Sequence, residues 1–136
     1  MIVVDASVAL AWALPDTQLN HRYVQGIWEA GVAGSDNLIA PLLMRTECAY
    51  VILKKSRALR WGDAKASEYA EFIDSVPVRY MSTDSPIATH VRFAVRHHTQ
   101  GFDAVYLGLA ITMGAKIASP DKGLVAAAKR AGVQIA

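Results

Sequence analysis

Short apolar runs alternate with longer helical segments along this chain, and that alternation admits few folds. Ile2-Val3-Val4, Asn37-Leu38-Ile39-Ala40, Val78 to Met81, Lys116-Ile117-Ala118 and Val133-Gln134-Ile135 each have strand length. The first is β-branched throughout, which suits a buried strand. Between these runs lie segments of helical character. One starts near Ser7 and stops at Pro15, because the residue before a proline is pushed out of helical geometry. Residues 18–31 form the second, with Leu19, Tyr23, Ile27 and Trp28 on one face. Others cover 42–57, Trp61 to Ser75, Pro86 to His98, Phe102 to Met113, and 122–131. Ile87, Val91, Ala94, Val95 and His98 share one face of the helix after Pro86. Gly31, Gly114 and Gly132 stand at helix ends, where a left-handed residue is wanted. Strands separated by helices imply a parallel sheet with helices on both faces. The expected architecture is α/β, with five mainly parallel strands.

With 136 residues, one domain spanning 1–136 is the natural reading, and it is large enough for a real core. An apolar fraction of 53% with 19% charged residues excludes a disordered chain. A net charge of +2 permits a nucleic-acid partner without requiring one. The single cysteine, Cys48, rules out an internal disulfide and reads as a small core residue. No basic leader precedes the first apolar run, and no uninterrupted stretch reaches the roughly 18 apolar residues of a membrane span. The expectation is a cytoplasmic protein with no membrane partner.

The strand Ile2-Val3-Val4 runs straight into Asp5. A strand that ends on an acid gains meaning when other acids arrive at the same place. In an open parallel sheet, ligands bind beyond the carboxyl ends of the strands. Asp121 lies just past the fourth strand and so shares that edge with Asp5. Asp103 starts the helix that feeds the fourth strand, which puts it at the same edge. Glu47 lies within about two turns of the start of its helix, so it stays within roughly 10 Å of the edge. Its neighbours at helical spacing are Leu43, Met44, Tyr50 and Val51, an apolar setting that is costly for a carboxylate without a partner. Each Asp taken singly also suits a helix cap, and Glu47 could pair with Arg45 or another base. Four carboxylates together repel unless cations sit among them. No His or Cys joins the set, and an oxygen-only shell favours Mg²⁺ or Mn²⁺ over structural zinc.

The stretches VVDASV, RTEC, GFDAVYLGLA and SPDKGL, in this order, resemble the PIN-domain family and in particular its VapC-type toxins. The resemblance runs from residue 2 to residue 135. It implies a three-layer α/β/α sandwich and a Mg²⁺- or Mn²⁺-dependent ribonuclease that leaves a 5′-phosphate and a 3′-hydroxyl. It carries catalytic and metal-binding roles to Asp5, Glu47, Asp103 and Asp121. Ser119 stands where the family commonly has Thr, and Phe102 where it often has Tyr. The resemblance also implies an RNA substrate, a VapB-type antitoxin and a homodimer, with exposed apolar groups such as Trp12 as contact points.

Ser7 and Ser119 are candidates to orient a carboxylate or a water, and equally suit capping. RNA needs positive charge, for which Arg45, Arg96, His97 and Lys122 are candidates, with Lys54, Lys55, Arg57 and Arg60 behind them. Each also reads as ordinary surface charge. His98 falls on the apolar face and reads as a core-edge residue. Trp12, Trp28 and Trp61 suit packing better than base stacking. A phospho-receiver domain would need an acceptor Asp after the third strand and a Lys after the fifth, and a haloacid-type phosphatase would need Asp-x-Asp where Asp5-Ala6-Ser7 stands. A PIN-fold binding module without activity, or a PIN nuclease without an antitoxin, are the alternatives that stay open.

Overall fold

The computed structural model describes residues 1–15 and 20–136. Leu19, at the start of the expected second helix, lies outside the described residues. The element order is β1 (Ile2–Val4), α1 (Ala6–Ala13), α2 (His21–Val32), β2 (Leu38–Pro41), α3 (Leu43–Ala58), α4 (Asp63–Ser75), β3 (Val78–Met81), α5 (Ile87–His97), α6 (Asp103–Met113), β4 (Lys116–Ala118) and α7 (Lys122–Arg130).

The strands form one parallel sheet in the order β3-β2-β1-β4. Val3 pairs with Ile39 on one side and Ile117 on the other. All three side chains are buried, as a sheet covered on both faces requires. The chain moves outward from β1 through β2 to β3, then returns across the sheet to β4. Right-handed crossovers then place the outward and returning helices on opposite faces. In keeping with this, α1 packs with α2, α3 and α4, whereas α6 packs with α5, α7 and strands β1, β2 and β4. The result is an α/β/α sandwich.

The sheet has four strands rather than the expected five. Ile135 makes only an isolated parallel bridge to Ile117. The reason lies in the end of α7. Gly132 adopts a left-handed φ of 75°. Val133 then turns its N–H back to the Ala128 carbonyl at 2.9 Å. The chain leaves this turn only at Gln134, and its pairing with β4 is limited to the two bonds that flank Ile135, from Ile117 N to Gln134 O and from Ala136 N to Ile117 O, each 2.9 Å.

The apolar face expected on α5 does not face the core. Ile87, Val91 and Val95 are 84%, 56% and 69% exposed. The helix instead turns Phe93 inward against Gly108 of α6. Periodicity marked an apolar stripe but could not tell which side of the helix α6 would cover.

Candidate active site

Asp5 sits at the end of β1, in the gap where the chain reverses its direction across the sheet. The β1–β4 ladder reaches right up to it, since Asp5 N donates to Ala118 O at 3.0 Å. Its carboxylate is buried. Oδ1 accepts from Ser7 N at 3.4 Å, and Oδ2 accepts from Ser119 Oγ at 2.5 Å. The same Ser119 hydroxyl accepts from Asp121 N at 3.0 Å. One buried serine thus ties the end of β1 to the start of α7. Asp121 caps α7, its Oδ1 accepting from Leu124 N at 2.9 Å.

Asp103 opens α6. Gly123, in the first turn of α7, shows how near it lies to Asp121. A Cβ at position 123 would stand 3.0 Å from Asp121 Oδ1 and 4.0 Å from Asp103 Oδ2. Glu47 comes from α3. Its Oε2 accepts from the Tyr106 hydroxyl of α6 at 3.2 Å, while its Oε1 is buried with no hydrogen-bond partner among the described residues. Among the described residues, neither Arg45 nor any other base pairs with it. Among the described residues the ion pair found is that of the Met1 amine with Asp36, 2.7 Å.

The acids act on one another. Burial, with the charges of Asp121 and Asp5 adding to it, pushes the Asp103 carboxyl up to about 6. Asp5 is also raised by burial; the hydrogen bonds from Ser119 and the Ser7 N–H oppose this, and the Asp121 charge adds to it. Burial raises Glu47, against the Tyr106 hydrogen bond, with the charges of Asp5 and Asp103 adding. Burial and the charges of Glu47 and Asp5 hold the Tyr106 phenol far above its usual range, so it remains a donor at ordinary pH.

Donor chemistry fits a hard divalent cation. The set is oxygen only, and among the described residues it holds an orphaned carboxylate oxygen and no base relieves its repulsion. The ligands are not gathered in advance. Among the described residues, no three His, Cys, Asp or Glu side chains are close enough to hold an ion as placed.

Several other expected site residues are placed differently. Ser7 reaches Asp5 through its backbone N–H, and its side chain is exposed. Arg45 lies two residues before Glu47 and so on another side of α3. Its guanidinium stacks 4.1 Å over the Tyr80 ring. The two histidines exchange their expected places. His97 packs its ring against Phe93 at 4.3 Å. His98 is exposed and ends α5 with a left-handed φ of 50°. Arg96 is exposed in the last turn of α5, and Lys122 is exposed beside Asp121. Trp12 is half-buried, and its indole N–H donates to Val24 O at 3.0 Å. Trp28 packs on the core, and Trp61 packs against Tyr69 at 5.0 Å. Cys48 is buried, and burial first, then the nearby acids, pushes its thiol up to about 12.

Sequence reasoning missed three residues. Tyr106 lies one helical turn after Asp103, a spacing that puts both on one side of α6. Gly123 had its position two residues after Asp121 as a signal. Tyr23 had none. Its hydroxyl is buried without a hydrogen-bond partner among the described residues. Burial raises it, the nearby Ser119 backbone lowers it, and the Asp5 charge raises it further.

Sheet order and acid edge together define a doubly wound α/β protein with a carboxylate cluster at its switch point. A family profile described as PIN domain matches residues 2–130, and the chain belongs to the PIN-domain family. Solved structures with the same fold include PAE2754 from Pyrobaculum aerophilum, 24% identical, TM-score 0.68, covering 93% of this chain and 78% of that one. FitAcB from Neisseria gonorrhoeae is 17% identical, with TM-score 0.64 and coverage of 99% and 96%. Mycobacterium tuberculosis VapC20, a sarcin-ricin loop cleaving toxin, is 20% identical, with TM-score 0.68 and coverage of 93% and 95%. At these identities the likeness is one of fold. Comparison with curated proteins returns no match. No helix is long and apolar enough to cross a membrane among the described residues.

Proposed function

We propose that this chain is a single PIN unit acting as a Mg²⁺- or Mn²⁺-dependent endoribonuclease, the toxin of a VapBC-type pair. The observation that carries the reading is the meeting of Asp5, Glu47, Asp103 and Asp121 at one sheet edge, where burial and mutual charge raise Asp5, Glu47 and Asp103 and no base among the described residues pairs with Glu47. Membership of a nuclease family and the fold shared with VapC20 support it.

Asp5, Glu47, Asp103 and Asp121 would hold the ion. When bound, it supplies a water acidified into the neutral range and positive charge against the phosphate. The chain's own residues prepare that place. Ser119 and the Ser7 N–H restrain both oxygens of Asp5. Tyr106 restrains one oxygen of Glu47. Lys122, exposed at the first position of α7, is the base nearest in the chain to the acids and would meet the RNA backbone; Arg96 is a more remote candidate. His97 and Arg45, engaged with Phe93 and Tyr80, are better read as packing groups.

The same reading extends to a VapB-type antitoxin covering the acidic edge, to a homodimer, and to the cytoplasm, where a lone buried thiol such as Cys48 stays reduced. A PIN-fold binding module without activity is the second reading. It is favoured by the lack of a ready-made three-ligand group among the described residues.

Labelled total RNA incubated with antitoxin-freed protein and Mg²⁺ or Mn²⁺ separates the two. Discrete fragments that vanish with EDTA and with Asp5→Asn are expected. No cleavage with either metal would favour the binding module. Cleavage that survives both controls would overturn the metal-site assignment.

A further inference from the structure

Tyr106 is 2% exposed and is among the largest fully buried side chains of the protein. Its helix, α6, packs on three of the four strands. The ring therefore has no room to swing, and its hydroxyl is a donor at a fixed point. That point lies 3.2 Å from Glu47 Oε2. Glu47 belongs to α3, and its flexible side chain would otherwise sample several rotamers. The other oxygen, Oε1, is buried and has no hydrogen-bond partner among the described residues. An unpartnered buried carboxylate oxygen is costly, and a cation bound beside it would relieve that cost. Asp103 stands one turn before Tyr106 on the same helix. One rigid helix thus carries an acid of the cluster and the group that holds a second acid from another helix.

We propose that Tyr106 is a positioning residue: its hydroxyl holds Oε2 of Glu47 so that Oε1 is turned to the divalent cation. The proposal rests on reading the acid edge as a metal site. Its alternative is that the bond merely satisfies a buried phenol.

Mn²⁺ binding by the intact, RNA-free chain, followed by electron paramagnetic resonance, distinguishes these in a double-mutant cycle. Partners that orient a ligand typically contribute 10- to 100-fold in metal affinity, and Tyr106→Phe should weaken Mn²⁺ binding by about that factor. On a Glu47→Ala background, Tyr106→Phe should have no further effect. Tyr106→Phe with wild-type affinity, or losses that add on the Glu47→Ala background, would overturn the proposal while Glu47 and the acid edge stand. No Mn²⁺ binding by the wild-type chain would instead remove the metal-site reading beneath it. Should the Phe variant fail to fold, tyrosine labelled with ¹³C at Cζ replaces it. The Tyr106 resonance should then move on Mg²⁺ addition in the wild type and stay still in Glu47→Ala. A resonance that stays still in both, while Mg²⁺ binds the wild type, would sink it.

Discussion

Asp103 shows the charge problem of the site at the level of one residue. Folded, its carboxyl keeps a proton up to about pH 6; its ordinary value is 3.8. As pH rises between these values the unfolded chain gives up the proton first, so the folded state binds more protons and stability falls. The loss is complete above about pH 6. In EDTA, Asp103→Asn should therefore melt at a higher temperature than wild type near pH 8 and at the same temperature near pH 3.5. Solvent screening of a half-exposed group makes the gain only a part of the full linkage. A scan of melting temperature against pH checks this, and a lower melting point near pH 8 would contradict it. Ser119 makes the opposite kind of contribution. Its buried hydroxyl donates to Asp5 and accepts from Asp121 N. Ser119→Ala should cost about 1–3 kcal/mol in urea unfolding, because it leaves the buried Asp5 carboxylate and the part-buried Asp121 N–H each short of a bond. The acids were legible as residues because Asp5, Asp103 and Asp121 each follow a strand or open a helix, and Glu47 stands among apolar neighbours at helical spacing. Tyr23 and Tyr106 were not, because a tyrosine at apolar spacing looks the same whether its hydroxyl is idle or meets a carboxylate from a distant helix.

At the scale of elements, two glycines separate function from stability. Gly123 sits in the first turn of α7, where alanine is the better helix former by roughly 0.5–1 kcal/mol. A methyl there would press on Asp121 Oδ1 at 3.0 Å and come within 4.0 Å of Asp103 Oδ2. Gly123→Ala should change the melting temperature little, the gain in helix propensity being offset by pressure on the Asp121 cap, and lower both Mn²⁺ affinity and RNA cleavage. An active variant with unchanged affinity would show that this space is not needed. Gly31, near the end of α2, is a packing glycine. Its Cβ would stand 2.7 Å from Cγ of Leu38, a buried residue of β2 with no room to retreat. Gly31→Ala should cost about 1–3 kcal/mol by overpacking, read as a lower urea midpoint at constant slope. Helix existence was legible from spacing and from glycine and proline positions. The exposed stripe of α5 was not, because the same period arises whether a helix covers its apolar face or leaves it bare. The fifth strand is reduced to one bridge, Ile135 with Ile117, because the turn that ends α7 runs through Val133 and leaves only the last three residues to pair.

At the scale of the whole molecule, the acid edge joins β1, α3, α6 and α7, so a ligand there ties distant parts of the chain together. An ion that binds only the folded state stabilises it by about 2.7 kcal/mol at a hundred times its dissociation constant. Saturating Mn²⁺ should raise the melting temperature of wild type above its value in EDTA. Asp5→Asn and Glu47→Ala should blunt that rise. An equal rise in all three proteins would place Mn²⁺ elsewhere. The bond from Ser119 to Asp5 spans 114 positions of sequence, and that from Tyr106 to Glu47 spans 59. Separations of that size are closed by topology, not by local preference.

Sequence alone determined the strand and helix alternation, the parallel sheet, and the edge to which Asp5, Glu47, Asp103 and Asp121 would come. Those follow from period, chain direction and the rule that strands deliver residues to their carboxyl ends. The tertiary structure alone decided what each acid touches: Ser119 for Asp5, Tyr106 for one oxygen of Glu47, and no partner among the described residues for the other. It also decided which face of α5 stays open. Patterns along a chain report what is apolar and what is charged at each turn. Which groups from remote elements meet depends on how the helices pack on the sheet, and no local spacing records that.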